Sequence, residues 1–265
     1  MKLIPFDTDL SGMDCHLHSR FSPDANGAGA KSPDEIAADV RRKGLRGFII
    51  TDHLDVGHWG DYTIDFDEYF GAWNSVREKN PDLTIYIGLE VGFEPEYVQE
   101  TYELIKDLPL EYVINSVHYW QDKTTAADGT VKYEFDEVWK KGKLEAYTKY
   151  LKQVLASLDA PYDFNTVGHI GFPERYAPYS PDETPMRYAE FKPLMDEIIA
   201  KAVRRGVKFE QNTNAGGVMR LPRADFLTAY KRAGGVRPML GSDAHTSDAI
   251  GQYFDIAQKF LDVIF

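Results

Sequence analysis

A chain of 265 residues with 43% hydrophobic and 13% aromatic content can build a sizeable core, which excludes a disordered polymer. A net charge of −12 disfavours nucleic acid as a partner, because phosphate backbones recruit lysine and arginine. The lone cysteine, Cys15, forbids an internal disulfide, and neither a signal-peptide pattern nor a run of about 18 apolar residues is present. The expectation is a cytoplasmic protein with no membrane partner.

Short apolar runs suited to buried strands fall at Met13–His18, Gly47–Thr51, Leu83–Leu89, Tyr112–Val117, Phe164–His169, Val207–Thr213 and Pro238–Ser242. Amphipathic helical segments alternate with them. The first opens at Ser32-Pro33-Asp34-Glu35, where Ser32 can cap, Pro33 suits the first turn and Glu35 completes a capping box. The others are Phe66–Lys79, Glu96–Lys106, Phe135–Leu158, Tyr188–Arg205, Ala224–Ala233 and Asp248–Phe260. Gly44, Gly206 and Gly234 follow helical runs, where a left-handed cap is wanted. Seven strands alternating with helices predict a parallel sheet, open or closed. No linker or repeat divides the chain, so residues 1–265 read as one domain. Two connections are long, Asp55–Thr63 and Tyr119–Lys132, and loops after strands commonly carry substrate contacts.

Six of the seven histidines stand at the ends of these strands: His16, His18, His53, His118, His169 and His245. Asp24, Glu90 and Asp243 accompany them. Imidazole nitrogen and carboxylate oxygen are the usual ligands of zinc, iron and manganese. Strand alternation places His16 and His18 on one face, with Cys15 and Leu17 on the other. Taken singly, His118 or His169 is more often a hydrogen-bonded core histidine, Glu90 reads as a helix cap or half of a salt bridge, and Asp24 as a turn residue after Pro23. Together, six blocks at predicted strand ends point to a multi-ion metal site. His58, beside Trp59, reads as surface or substrate-side rather than as a ligand.

The blocks CHLH (15–18), TDH (51–53), GLEV (88–91), SVH (116–118), VGH (167–169) and GSDAH (241–245) resemble those of the PHP (polymerase and histidinol phosphatase) metal-dependent phosphoesterases, in family order. The resemblance implies a distorted seven-stranded (β/α) TIM-like barrel. It also implies three divalent ions, Zn, Fe or Mn, held by His16, His18, Asp24, His53, Glu90, His118, His169, Asp243 and His245. Within the family the chain is most similar to the stand-alone histidinol-phosphate phosphatases of histidine biosynthesis. It departs from them at Gly92, where a polar residue is common, and in the segments IGFPERY and NTNAGG.

The implied reaction is hydrolysis of L-histidinol phosphate by a metal-bound hydroxide. Glu90 and Asp243 are the expected bridging carboxylates, and His245 or His53 the expected acid for the leaving oxygen. Arg175 and Arg220 follow strand-end motifs and are the expected phosphate ligands, as resembling phosphatases carry arginines in these segments; Arg20 is a third candidate. Asp55, Asp61, Tyr62, Tyr119 and Trp120 are available for the substrate's ammonium and imidazole. The alternatives are a PHP phosphoesterase for a nucleotide or sugar phosphate, or a non-catalytic metal-binding module.

Overall fold

The computed structural model describes residues 1–25, 31–58, 63–125, 131–214 and 221–265. Seven parallel strands run in sequence order around a nearly closed barrel: β1 (Met13–Leu17), β2 (Gly47–Ile50), β4 (Thr84–Gly92), β5 (Tyr112–Ser116), β8 (Thr166–Val167), β9 (Lys208–Asn212) and β10 (Met239–Gly241). The two-residue β3 (His53–Leu54) pairs with the end of β4 and sets His53 opposite Glu90. Past its last ladder, the barrel closes where the Asp243 and His18 amides donate to the His16 and Ala244 carbonyls, at 2.8 and 3.0 Å. The seven-stranded barrel expected from the sequence is therefore present.

The helices lie outside. They are α1 (Pro33–Arg42), α2 (Phe66–Lys79), α3 (Val98–Ile105), α4 (Phe135–Lys140), α5 (Lys143–Ser157), α6 (Lys192–Arg205), α7 (Ala224–Arg232) and α8 (Phe254–Ile264). The Ser32–Glu35 capping box forms as expected. Gly44, Gly206 and Gly234 take φ of 72°, 70° and 91°, the left-handed region that ends a helix cheaply only at glycine. Outward-facing strand residues such as Phe48, Ile50, Ile87 and Phe209 pack beneath the helices in one large core. A smaller cluster of Met13, Cys15, Ile49, Tyr112, Ile114 and Met239 joins strands that are not neighbours, so it fills the barrel interior.

Several expectations need correction. The helix predicted over Phe135–Leu158 is two helices, because Gly142 takes φ of 92° between them. The segment Tyr188–Arg205 opens with a 3-10 turn, Tyr188–Glu190, before α6 begins at Lys192-Pro193. The C-terminal helix starts at Phe254, not Asp248, after a 3-10 turn at Ser247–Ala249. The predicted connection Tyr119–Lys132 overlaps an antiparallel hairpin that runs on to Glu134, β6 (Asp122–Thr125) with β7 (Val131–Glu134). Cys15 and Leu17 do not share a face. The register slips between Asp14 and Leu17, so Cys15 enters the interior cluster while Leu17 joins the outer core. No helix among the described residues is long and apolar enough to cross a membrane.

Candidate metal centre

The carboxyl ends of the strands bring the nine predicted ligands to one mouth of the barrel, with Glu90 at its centre. Glu90 is fully buried. Its Oε2 lies 3.1 Å from His16 Nε2, 3.5 Å from His18 Nε2 and 3.1 Å from His53 Nδ1. Its Oε1 lies 2.7 Å from His169 Nε2 and 3.1 Å from His118 Nε2. Asp243 Oδ1 faces His18 Nε2 at 3.2 Å, and its Oδ2 meets Arg175 at 3.1 Å and Asn212 at 3.3 Å. Asp24 Oδ2 sits 2.9 Å from His245 Nε2 and 3.4 Å from His53 Nε2.

Four groups of donor atoms result among the described residues. One is His16, His18 and Glu90; a second is Glu90, His118 and His169; a third is His18, His53 and His245, which Asp24 adjoins; a fourth is His53, Asp55 and His118, and Asp55 was not among the predicted ligands. Glu90 turns one oxygen to each of the first two, the disposition a bridging carboxylate needs. Asp243 keeps one oxygen for the site and spends the other on Arg175 and Asn212. Its backbone takes φ of 53°, unusual away from glycine, and this bend aims the carboxylate inward.

The donor chemistry fits divalent cations. His16 Nε2 and His18 Nε2 face each other at 3.1 Å, and His118 Nε2 and His169 Nε2 at 3.3 Å. Two imidazoles bound to one tetrahedral ion at about 2.05 Å would set their nitrogens ~3.3 Å apart. Glu90 Oε2 is buried and makes no hydrogen bond despite three nearby ring nitrogens. Such an arrangement is repulsive or wasteful unless positive charge lies among the atoms.

The electrostatics agree. Burial works to lower the pKa of His16, His53 and His118, yet the surrounding carboxylates outweigh it and all three are raised. At His118, Asp55 and Glu90 bring the value to about 9. His18 goes the other way, to about 3, through burial and the neighbouring His53 and His245. Burial acts to raise the Glu90 and Asp243 pKa values, but the histidines around them hold both carboxyls well below the usual range. The pocket is a negative cage that calls for cations.

Outer contacts orient the rings. His16 Nδ1 meets the buried Glu210 at 2.7 Å, His118 Nδ1 meets Asp55 at 2.8 Å, and His18 Nδ1 meets Ser22 at 3.0 Å. Sequence reasoning passed over Glu210. Its signal was an acid at the inward parity of a buried strand, two residues before Asn212. Asp55, expected at the substrate, is instead a buried partner of His118 and His53. Gly92 now has a reason: a Cβ there would overlap the Asp55 carboxylate.

A cavity of about 540 Å³ opens above the cluster, lined by Tyr119, Trp120, Asp136, Trp139, Phe172 and Arg175 among others. Arg175 thus stands where expected, over the Phe172 ring. Arg20 does not; it pairs at the surface with Glu68, 2.7 Å away. Arg220, Asp61 and Tyr62 lie outside the described residues. His58 is buried rather than at the surface, stacked on Tyr119 at 3.5 Å between centroids and 3.5 Å from Glu94.

Residues 14–214 match the PHP domain. The chain is 30% identical to a protein named probable histidinol-phosphatase from Clostridium acetobutylicum, over 94% of this chain and 92% of the relative. It is 31% identical to the histidinol-phosphatase of Lactococcus lactis, over 89% and 85%. Its fold matches the crystal structure of a Lactococcus lactis histidinol phosphate phosphatase complexed with zinc, L-histidinol and phosphate. There the TM-score is 0.78 and the identity 27%, covering 94% of this chain and 93% of the other.

Proposed function

From the premise that this chain belongs to the PHP domain family, we propose that it is a metal-dependent phosphatase that converts L-histidinol phosphate to L-histidinol and phosphate. The observation that carries this reading is the gathering of nine family-order ligand positions at one mouth of the barrel, five histidines meeting Glu90, in a chain about 30% identical to histidinol-phosphatases over most of its length. Residues 1–265 act in this reading as one catalytic domain.

His16, His18, Asp24, His53, Glu90, His118, His169, Asp243 and His245 would hold the metal, in three sites suited to Zn, Fe or Mn. Divalent ions in such a site acidify water towards neutral pH and neutralise the charge that grows on a phosphate ester in its transition state. The chain's own groups do the rest. Arg175 lines the cavity with its guanidinium anchored on Asn212 and Asp243, which places a positive charge there for a phosphate oxygen. We give Arg220 the same task. His245 and His53 line the cavity, and one or the other, through a water it holds rather than through its own ring, would supply the proton for the leaving oxygen. Tyr119, Trp120, Trp139 and Phe172 offer ring faces to an imidazole, and Asp136 a charge to an ammonium.

The test is a comparison of kcat/KM for L-histidinol phosphate, p-nitrophenyl phosphate, mononucleotides and sugar phosphates. The proposal expects histidinol phosphate to lead by at least about tenfold. Preference for another ester would keep the site and change the substrate. Release from none would leave a non-catalytic metal module.

A further inference from the structure

The Ser22 hydroxyl, four residues beyond His18, is fully buried and meets three groups. It lies 3.0 Å from His18 Nδ1, 3.0 Å from the His53 amide nitrogen and 2.8 Å from Asp52 Oδ1. A hydroxyl has one proton to give and lone pairs to receive. The His53 amide can only donate. Asp52, also fully buried, already collects the Ser19 amide at 2.6 Å and the Ser19 hydroxyl at 2.8 Å, and accepts at both oxygens. The Ser22 proton therefore goes to Asp52, and Ser22 must accept from His18 Nδ1–H. That leaves His18 Nε2 bare, pointed at Glu90 and Asp243. The opposite arrangement, Ser22 donating to Nδ1, would strip a donor from a buried carboxylate and put an N–H where His16 Nε2 stands 3.1 Å away.

We propose that Ser22, oriented by Asp52, is a positioning residue that locks His18 in the tautomer with Nε2 free for metal and ties the His18 ring to the backbone of His53. One oxygen thereby links the end of β1 to the start of β3. The His18 and His53 rings are themselves stacked, with centroids 4.3 Å apart. Neither Ser22 nor Asp52 is itself a predicted ligand. The inference rests on the metal-site reading above.

The test uses Ser22→Ala, Ser22→Thr and Asp52→Ala in the full chain. Asp52→Ala removes the acceptor of the Ser22 proton, which is then free to turn to His18 Nδ1 and favour the wrong tautomer. Asparagine would not serve, because the Ser19 amide and Ser22 both donate to Oδ1 and an amide oxygen would still accept from both there. Cobalt(II) affinity is measured by competition with a chelator, together with the visible spectrum of the bound cobalt and thermal unfolding of the metal-free protein. Ser22→Ala and Asp52→Ala are expected to weaken one cobalt equivalent by about 10- to 100-fold and to change its spectrum, with Ser22→Thr restoring both. Folded Ser22→Ala and Asp52→Ala proteins with wild-type cobalt affinity and spectrum would overturn the proposal. So would a loss of affinity no larger than the loss of folded protein. Wild-type hydrolysis of histidinol phosphate, measured alongside, separates the two readings. Its absence beside a clear loss of cobalt affinity in the variants would fell the substrate assignment and leave the role of Ser22 standing.

Discussion

His16 Nε2 faces His18 Nε2 across 3.1 Å, while the Nδ1 atom of each ring is engaged from behind, by Glu210 and by Ser22. Two nitrogens supported in this way would share a cation in the proposed site. Replacement of His18 by alanine should therefore lower bound metal and turnover together, turnover by about a hundredfold or more. Metal analysis by mass spectrometry and a phosphate-release assay on one sample check this. Wild-type values for both would remove His18 from the site.

Metal uptake should release protons. Carboxylates hold His16, His53 and His118 above the usual histidine pKa, His118 at about 9, so these rings carry protons near neutrality when no metal is bound. A metal must displace them, and its affinity falls as pH falls. Calorimetry in two buffers of different ionisation enthalpy should show proton release near pH 7, with weaker binding at about pH 6 than at about pH 8.5. An affinity unchanged across that range would contradict the cage of negative charge described here.

Arg175→Ala should raise KM for the phosphate ester and weaken inhibition by inorganic phosphate. The loss of a charge-assisted contact is worth about 1.5–3 kcal/mol, or roughly 10- to 150-fold. Arg175 also touches Asp243 at 3.1 Å, so metal content is measured too. Unaltered kinetics would place the phosphate elsewhere.

Gly92→Ala should drive a methyl group into the Asp55 carboxylate and disturb its bond to His118. The expected cost is about 1–3 kcal/mol in stability, with lower metal occupancy. Thermal unfolding and metal analysis report both. A variant with wild-type Tm and occupancy would show that Asp55 does not need the space.

The barrel was legible because each strand is a short apolar run ended by a ligand-type residue and followed by an amphipathic helix. The Ser32–Glu35 box and the Gly44, Gly206 and Gly234 caps marked helix ends through local chemistry. The break at Gly142 was less visible, since amphipathic character resumes directly after it. The hairpin at Asp122–Glu134 escaped because its strands are only four residues each and the first, Asp-Lys-Thr-Thr, is polar throughout. At the site, residues carrying a metal-ligand side chain in a motif were readable. Those acting through a ligand were not. Ser22 and Asp52 have ordinary side chains whose role depends on a three-way contact across segments, and Asp55 looked like a loop acid until Gly92 left it room.

If this cluster holds the ions a phosphatase of L-histidinol phosphate requires, phosphate release from that ester depends on them. The measurement is release by protein stripped with a chelator, then reloaded with zinc, iron or manganese. Release is expected to vanish on stripping and return on reloading, with bound metal tracking activity through both steps. Full activity after complete removal of metal would contradict it.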